Sequence, residues 1–189
     1  MTKHDLRKLL RARRRTFVAS LGREGRLEEA LLALAERIVG RLGEARSIAA
    51  YWPAGAEVDT RAILAAAHAQ GRSTGLPRIE EPGGEMRFLR WQPGDPLEAG
   101  AHGLLQPGTD AEPISPDLIL TPLVGFDRRL MRLGQGAGYY DRLFARLPGI
   151  RRIGLAWSVQ EVEEAPADPW DVALHGLATE LEWIESETA

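Results

Sequence analysis

The sequence predicts an α/β protein with three layers, α/β/α, in which a mainly parallel sheet is flanked by helices. Two observations predict this fold class. Short apolar runs bounded by Gly and Pro alternate with segments whose apolar residues recur at helical spacing. Residues 117–124 (DLILTPLV) are almost continuously apolar, as is typical of a strand that is buried on both faces. Because 189 residues suffice for one sizeable core, we expect residues 1–189 to form a single domain.

Several segments have the pattern of helices. An N-terminal helix that docks on a core is indicated by one apolar stripe, formed by Leu6, Leu9, Leu10 and Phe17. A second stripe predicts a helix over residues 26–42. A third helix is expected from Asp59 or Thr60, either of which can cap it, through Gln70. A fourth spans residues 139–147 and follows a glycine-rich loop.

Short apolar runs between these helices are predicted to be strands. They lie at residues 47–52, 73–78, 86–91, 117–124, 152–157 and 177–181. Because strands and helices alternate along the chain, a mainly parallel sheet with helices on both faces is favoured.

The composition excludes several classes of protein. The chain has 24 Lys and Arg against 27 Asp and Glu, and 44% of its residues are apolar, which excludes a disordered chain. It has no Cys, so disulfides, thiolate metal sites and a cysteine nucleophile are excluded, and a cytoplasmic protein is expected. No apolar run approaches the ~20 residues that a membrane helix needs, so no membrane contact is expected.

The charges are distributed unevenly along the chain. Residues 1–17 carry a local charge of +6, whereas residues 153–189 contain no Lys or Arg and carry −9. Such asymmetry marks either a place for an anionic ligand or a solvated basic helix balanced by an acidic tail. A nucleic-acid-binding arm is less favoured, because no aromatic residue interrupts the basic run and the pI is about 5.9. We expect the runs Arg13–Arg15 and Arg128–Arg129 to face solvent.

Gly134, Gly136 and Gly138 follow the strongest predicted strand and precede a helix. Unpaired backbone N–H groups at a helix start, with no side chains in the way, form an anion site. The spacing is neither that of a Walker A loop nor that of the dinucleotide fingerprint, and a plain tight turn stays open as an alternative. Asp141, in the first helical turn, either interacts with the helix dipole or holds Mg²⁺ on a bound phosphate.

Residues 132–142 (RLGQGAGYYDR) resemble the RLGxGxGYYDR loop of the 5-formyltetrahydrofolate cyclo-ligase (5,10-methenyltetrahydrofolate synthetase) family. Further similarities span residues 3–180. They are KHDLRKLLRARR at 3–14, YWPAGAEVDT at 51–60, LILTPLVGFD at 118–127 and PADPWDVALHGLATE at 166–180.

This resemblance implies an ATP-dependent ligase. The implied reaction cyclises 5-formyltetrahydrofolate to 5,10-methenyltetrahydrofolate and releases ADP and phosphate, after the formyl oxygen has attacked the γ-phosphate of ATP. No protein nucleophile is needed, so catalysis rests on positioning and electrostatic stabilisation. The implied partners are these small molecules and Mg²⁺, with no nucleic acid and no membrane, and the protein is expected to be a monomer. A divergent, non-catalytic folate- or nucleotide-binding relative stays the alternative.

The resemblance also implies roles for individual residues. The ATP-binding positions are Lys3, Arg7, Arg132, Leu133, Gly134, Gln135, Gly136, Ala137, Gly138, Tyr139 and Tyr140. The folate-contacting positions are Trp52, Glu57, Gln135, Gly136, Ala137, Gly138 and Tyr139. Arg132 and Asp141 are the implied catalytic residues, and Asp141 and Asp171 the implied Mg²⁺ ligands.

Some positions depart from the family pattern or have a second interpretation. Gln135 and Ala137 are neutral where some relatives carry Arg or Lys, and Trp170 and His175 stand where His and Asp are common. From residue type alone, Trp52 would belong to a core, and Glu57, beside a glycine turn, would be solvated. The folate role of these two residues therefore rests on the resemblance.

Overall fold

The structure, a computed structural model, describes residues 1–100 and 103–185. Its α-helices are α1 (Lys3–Arg23), α2 (Leu27–Val39), α3 (Arg61–Ala69) and α4 (Tyr139–Arg146). Its strands are β1 (Ser47–Ala49), β2 (Ser73–Ile79), β3 (Met86–Arg90), β4 (Glu98–Ala99), β5 (Leu105–Gln106), β6 (Leu118–Pro122), β7 (Gly125–Phe126), β8 (Arg132–Leu133), β9 (Arg151–Leu155), β10 (Gly176–Ala178) and β11 (Trp183–Ile184).

The central sheet has seven strands in the order β11–β10–β9–β6–β1–β2–β3. The neighbours from β10 to β2 are parallel, whereas the edge strands β11 and β3 pair antiparallel with their neighbours. Helices cover both faces, which confirms the predicted α/β/α fold class. Among the described helices, none is long and apolar enough to cross a membrane.

The protein has a hydrophobic core on each face of the sheet, and successive side chains of the buried strand β6 point alternately into one and the other. Leu118 and Leu120 belong to the core under α1, α2 and α3, and both are fully buried. Ile119 points to the opposite face, where it packs in one cluster with Leu143 and Phe144 of α4. Side chains of a strand alternate between faces, so a continuously apolar run serves both layers.

Helix α1 lies over the segment that connects β6 to the glycine-rich loop. A capping box between Thr2 and Asp5 begins the helix. Leu6 and Leu10 are buried in a cluster with Val124 and Leu133. A Cβ at Gly125 would lie 2.5 Å from Leu10 Cδ1, so glycine at this position allows the helix to approach the backbone. The basic face of α1 is thereby held beside the loop.

The elements differ from prediction mainly at their ends. The strand predicted at 47–52 ends at Ala49. Ala50 still donates a backbone hydrogen bond to Gly75 O of β2 at 3.1 Å, and after Ala50 the backbone leaves the sheet. The strand predicted at 177–181 ends at Ala178 and is followed by a turn into β11. The hairpins β4–β5 and β7–β8 were not predicted, because two-residue strands are too short to show a period.

Candidate active site

A cleft of about 810 Å³ opens at the carboxyl ends of β1, β2 and β6, and helix α1 and the glycine-rich loop also line it. This is the edge at which open parallel sheets bind ligands. Every residue to which the sequence assigned a role lines this one cleft. They are Lys3, Arg7, Trp52, Glu57, Arg132, Leu133, Gly134, Gln135, Gly136, Ala137, Gly138, Tyr139, Tyr140, Asp141 and Asp171.

The glycine-rich loop is fastened to α1. The Nε of Arg7 donates a hydrogen bond to Gly134 O at 2.9 Å. Gly136 and Gly138 have φ of 112° and 68°, a backbone conformation that favours glycine, and Gly138 is the N-cap of α4. A Cβ at Gly136 would lie 3.7 Å from Arg7 Cζ, so the guanidinium stands directly beside the loop. A cation and a helix start therefore border the same space.

Arg132 is a buried cation on the wall of the cleft. It forms an ion pair with Asp141, in the first turn of α4, and donates to Val172 O at 2.6 Å. Its guanidinium also lies 5.0 Å from the centre of the Phe144 ring. Burial lowers the pKa of Arg132, and the carboxylates of Asp141 and Asp171 oppose that shift. The Arg132 guanidinium can therefore neutralise a second anion that enters the cleft.

Lys3 brings the two ends of the chain together at the cleft. Its Nζ lies 2.7 Å from Asp168 Oδ2 and 3.5 Å from Asp171 Oδ2. Asp171 Oδ2 also accepts a hydrogen bond from the backbone N–H of Asp168 at 2.7 Å. Although burial lowers the pKa of Lys3, the hydrogen bond and the charges of the two aspartates raise it overall. The basic and acidic segments thus contact each other here.

The acidic side chains fit a Mg²⁺ ion that takes few ligands from protein. Asp141 and Asp171 both line the cleft, and each is paired with a cation, Arg132 or Lys3. Within residues 1–100 and 103–185, no group of three or more His, Asp or Glu is arranged to hold a metal on its own. Mg²⁺ is commonly held by one or two carboxylates together with phosphates and water, so two carboxylates suffice.

The side chain of Glu57 is only 9% exposed, which corrects the interpretation from residue type alone that it is solvated. Its Oε1 accepts a hydrogen bond from Gln135 Nε2 at 2.7 Å, and its Oε2 accepts one from Ala54 N at 3.0 Å. Nearby, the half-buried ring of Trp52 contacts Trp91 with ring centroids 5.5 Å apart. The Glu57 carboxylate and the Trp52 ring therefore supply acceptors and an apolar surface to the same cleft.

The prediction that Arg14 faces solvent is wrong. Arg13 and Arg15 are exposed as predicted, but Arg14 is 7% exposed and lines the cleft. It lies four residues after Leu10, so it belongs to the buried face of α1. The helical spacing that links Lys3, Arg7 and Arg14 was the signal available in the sequence, and a run of adjacent arginines obscured it.

Other residues that line the cleft were assigned no binding role from the sequence. Apolar walls are formed by Tyr51, Ile79, Met86, Leu104 and Leu105. Trp170, which is 68% exposed, lies beside Asp171 at the edge.

The chain matches the 5-formyltetrahydrofolate cyclo-ligase family over residues 1–180. The 5-formyltetrahydrofolate cyclo-ligase of Haemophilus influenzae is 32% identical over 141 residues, which cover 71% of this chain and 75% of that protein. The protein of the same name from Mycolicibacterium smegmatis is 32% identical over 187 residues, or 94% of this chain and 93% of that protein.

Solved structures show the same relationship. The NMR structure of 5,10-methenyltetrahydrofolate synthetase from Aquifex aeolicus has a TM-score of 0.77 at 30% identity and covers 100% of this chain and 95% of that one. The synthetase from Mycoplasma pneumoniae has a TM-score of 0.73 at 25% identity, covering 95% and 99%. Fold and cleft define an α/β protein with a small-molecule site at the carboxyl edge of its sheet. The chain belongs to the 5-formyltetrahydrofolate cyclo-ligase family.

Proposed function

We propose that this protein catalyses the ATP-dependent cyclisation of 5-formyltetrahydrofolate to 5,10-methenyltetrahydrofolate, with release of ADP and phosphate. The single observation that carries the proposal is the cleft. It joins a basic helix face, a glycine-rich loop at a helix start, carboxylates and a buried acceptor for the folate. Its volume of about 810 Å³ lies within the ~300–1,000 Å³ usual for small-molecule sites.

The ATP phosphates bind where the cations and the loop meet. Lys3 and Arg7 extend from α1, and Arg132 extends from β8, so positive charge borders the loop on two sides. Backbone N–H groups at the start of α4 add donors for phosphate oxygens. Asp141 and Asp171 would hold Mg²⁺, which screens phosphate charge when it is bound.

The folate lies against the opposite part of the cleft. The Glu57 carboxylate accepts hydrogen bonds from the adjacent N–H donors on the amino-pyrimidinone edge of the pterin. Trp52 provides apolar contact, and Met86 and Leu105 extend that wall. Gln135 binds Glu57 and Gly136 lies beside Arg7, so the loop residues 135–139 can touch both substrates.

The chemistry follows from bringing the formyl oxygen to the γ-phosphate. The oxygen attacks phosphorus and ADP leaves, which gives an iminium phosphate at N5. N10 then attacks the activated carbon and gives up its proton to solvent, and phosphate departs with the former formyl oxygen. Arg132 neutralises the charge on the transferred phosphoryl group, and the remaining contribution is positioning in a site sheltered from water.

The test is to mix the purified protein with 5-formyltetrahydrofolate and Mg-ATP and to follow the near-ultraviolet absorption of the methenyl product. We expect ADP to form in a one-to-one ratio with that product. Product formation at an equal rate without nucleotide, or release of AMP in place of ADP, would contradict the proposal. Binding of both substrates without any product would instead support the non-catalytic alternative.

We further propose that the protein acts as a monomer in the cytoplasm and takes these small molecules rather than nucleic acid or membrane as partners. The absence of Cys supports the cytoplasmic location, and the acidic balance of the whole chain argues against nucleic acid as a partner. Sedimentation at several protein concentrations tests the oligomeric state, and cell fractionation tests the location.

A further inference from the structure

Arg14 is a buried cation in the cleft to which the proposed reaction gives no role. We infer that Arg14 is a positioning residue, which pairs with the Glu57 carboxylate and orients it for the pterin. The inference rests on the proposed function, because it assumes that Glu57 receives the folate.

The two side chains form a pair that is nearly closed to solvent. Arg14 Nη1 lies 3.7 Å from Glu57 Oε1, and each side chain is 9% exposed. Nη1 also donates to Leu123 O at 3.4 Å, which is a long hydrogen bond. Among the described residues, Arg14 is the cation within ion-pair distance of Glu57.

A carboxylate in such a place needs a compensating charge. Burial of an unpaired anion is costly, so buried carboxylates are usually paired with a cation. The neutral Gln135 amide and the backbone N–H of Ala54 bind the Glu57 oxygens but carry no charge. Tyr51 and Tyr140 also line the cleft, but a phenol supplies no positive charge. The positive charge therefore comes from Arg14.

Two buried donors beside Glu57 lack a partner. In the part of the chain that the structure describes, Arg14 Nε and the Tyr140 hydroxyl are shielded from solvent without a hydrogen bond. Buried polar groups are nearly always paired in native proteins. Their occurrence in the same cleft as Glu57 indicates a polar site that is completed only when a ligand is present.

The contacts around Glu57 also join α1 to the glycine-rich loop. Arg11, one turn before Arg14, donates to Gln135 Oε1 at 3.1 Å and 2.7 Å, while Gln135 binds Glu57. The basic helix thus contacts both the loop and the carboxylate. If Arg14 positions Glu57, its replacement should raise the folate KM and not the ATP KM. If Arg14 only stabilises helix α1, both KM values should rise.

The experiment compares Arg14→Met, which keeps much of the volume and removes the charge, with Arg15→Met on the exposed face of α1. We expect Arg14→Met to raise the folate KM by about tenfold or more and the ATP KM less than about twofold, whereas Arg15→Met changes neither. Arg14→Lys should recover part of the loss, because it restores the charge without the planar guanidinium.

A double-mutant cycle with Glu57→Gln gives the second readout. If Arg14 acts through Glu57, adding Arg14→Met to Glu57→Gln should change the folate KM by less than about twofold. Additive effects would overturn the inference, as would an equal rise in both KM values or no rise at all. If Arg14→Met does not fold, the same cycle with Arg14→Lys decides the question.

The inference and the proposed function can fail separately. Binding of 5-formyltetrahydrofolate without ATP is measured by quenching of tryptophan fluorescence in each variant. Wild-type protein that binds folate but makes no methenyl product contradicts the proposed function, and the ratio of dissociation constants for Arg14→Met and wild type still tests Arg14. Wild-type protein that does not bind the folate contradicts both.

Discussion

The ammonium group of Lys3 lies 2.7 Å from the carboxylate of Asp168, a residue 165 positions further along the chain. The contact joins the first turn of α1 to the turn that contains Asp171, at the edge of the cleft. The charge asymmetry of the sequence therefore has a structural basis. Opposite charges from the two ends of the chain meet where the proposed reaction needs both cations and metal-binding carboxylates.

The first prediction concerns the basic face of α1. Arg7→Ala removes a cation that touches the glycine-rich loop, and turnover should fall, or the ATP KM should rise, by about 100-fold. Steady-state kinetics with ATP varied measure the effect. Arg13→Ala, on the exposed side of the same helix, is the matched control and should behave as wild type. Equal kinetics for the two variants would mean that the phosphates bind elsewhere.

The second prediction concerns the metal. Asp141→Asn and Asp171→Asn should each lose most of the rate and require more Mg²⁺ for half-maximal activity. Asp141→Asn should also lower the melting temperature, because it leaves the buried Arg132 without its carboxylate. Mg²⁺ titrations of the rate check both variants.

Asp168→Asn is the control for that titration, since Asp168 contacts Lys3 but has no proposed metal role. Its Mg²⁺ dependence should match that of the wild type. A wild-type titration for Asp171→Asn would remove that residue from the metal site and leave Asp141 in it.

The third prediction concerns folate selection. Glu57→Gln replaces an acceptor by an NH₂ donor, which mismatches a partly buried hydrogen bond and costs ~1–3 kcal/mol, or roughly 5- to 150-fold in kcat/KM for folate. The ATP KM should hardly change, and Trp52→Ala should share the pattern. Glu112→Gln, at an exposed glutamate, serves as control. An unchanged kcat/KM for folate in Glu57→Gln would contradict the assignment of Glu57 to folate binding.

The fourth prediction concerns stability in acid. His175 Nδ1 accepts the backbone N–H of Arg152 at 3.1 Å, and partial desolvation, together with the charges of Arg152 and Arg151, lowers the pKa of His175 below its ordinary 6.5. The native state therefore binds fewer protons than the unfolded state. Neutral His175 therefore contributes to the free energy of unfolding. Its contribution is fully present above pH 6.5 and is lost as the pH falls through the native pKa of His175.

Urea unfolding at neutral pH and near pH 5 tests whether the free energy of unfolding falls with pH in this way. His175→Gln does not titrate, so its free energy of unfolding should decline less between the two values than that of the wild type. An equal decline would show that the imidazole does not contribute to the loss.

The sequence predicted the fold class because the fold class depends on local patterns, whereas the residues of the cleft were identified by their resemblance to the family's motifs. The run at 117–124 became β6 at Leu118–Pro122, and the loop at 132–142 leads into α4. Pairings between distant segments could not be predicted in this way. The contact of Lys3 with Asp168 depends on how the ends of the chain fold back, which no local period encodes.

The error at Arg14 has a different origin. Three adjacent arginines suggested a solvated run, yet only one of them lies on the face of α1 that packs against the sheet. The tertiary position of the helix decided its burial. The assignment of residues 1–189 to one domain, and the binding roles of the cleft residues, stay predictions.

In the proposed reaction, the γ-phosphoryl group is transferred to the formyl oxygen within the cleft. Turnover of 5-formyltetrahydrofolate that carries ¹⁸O in the formyl group, with mass analysis of the inorganic phosphate released, tests this transfer. We expect one ¹⁸O atom in the phosphate for each methenyl product formed. Unlabelled phosphate, with the label recovered in water, would show that the formyl oxygen is not phosphorylated.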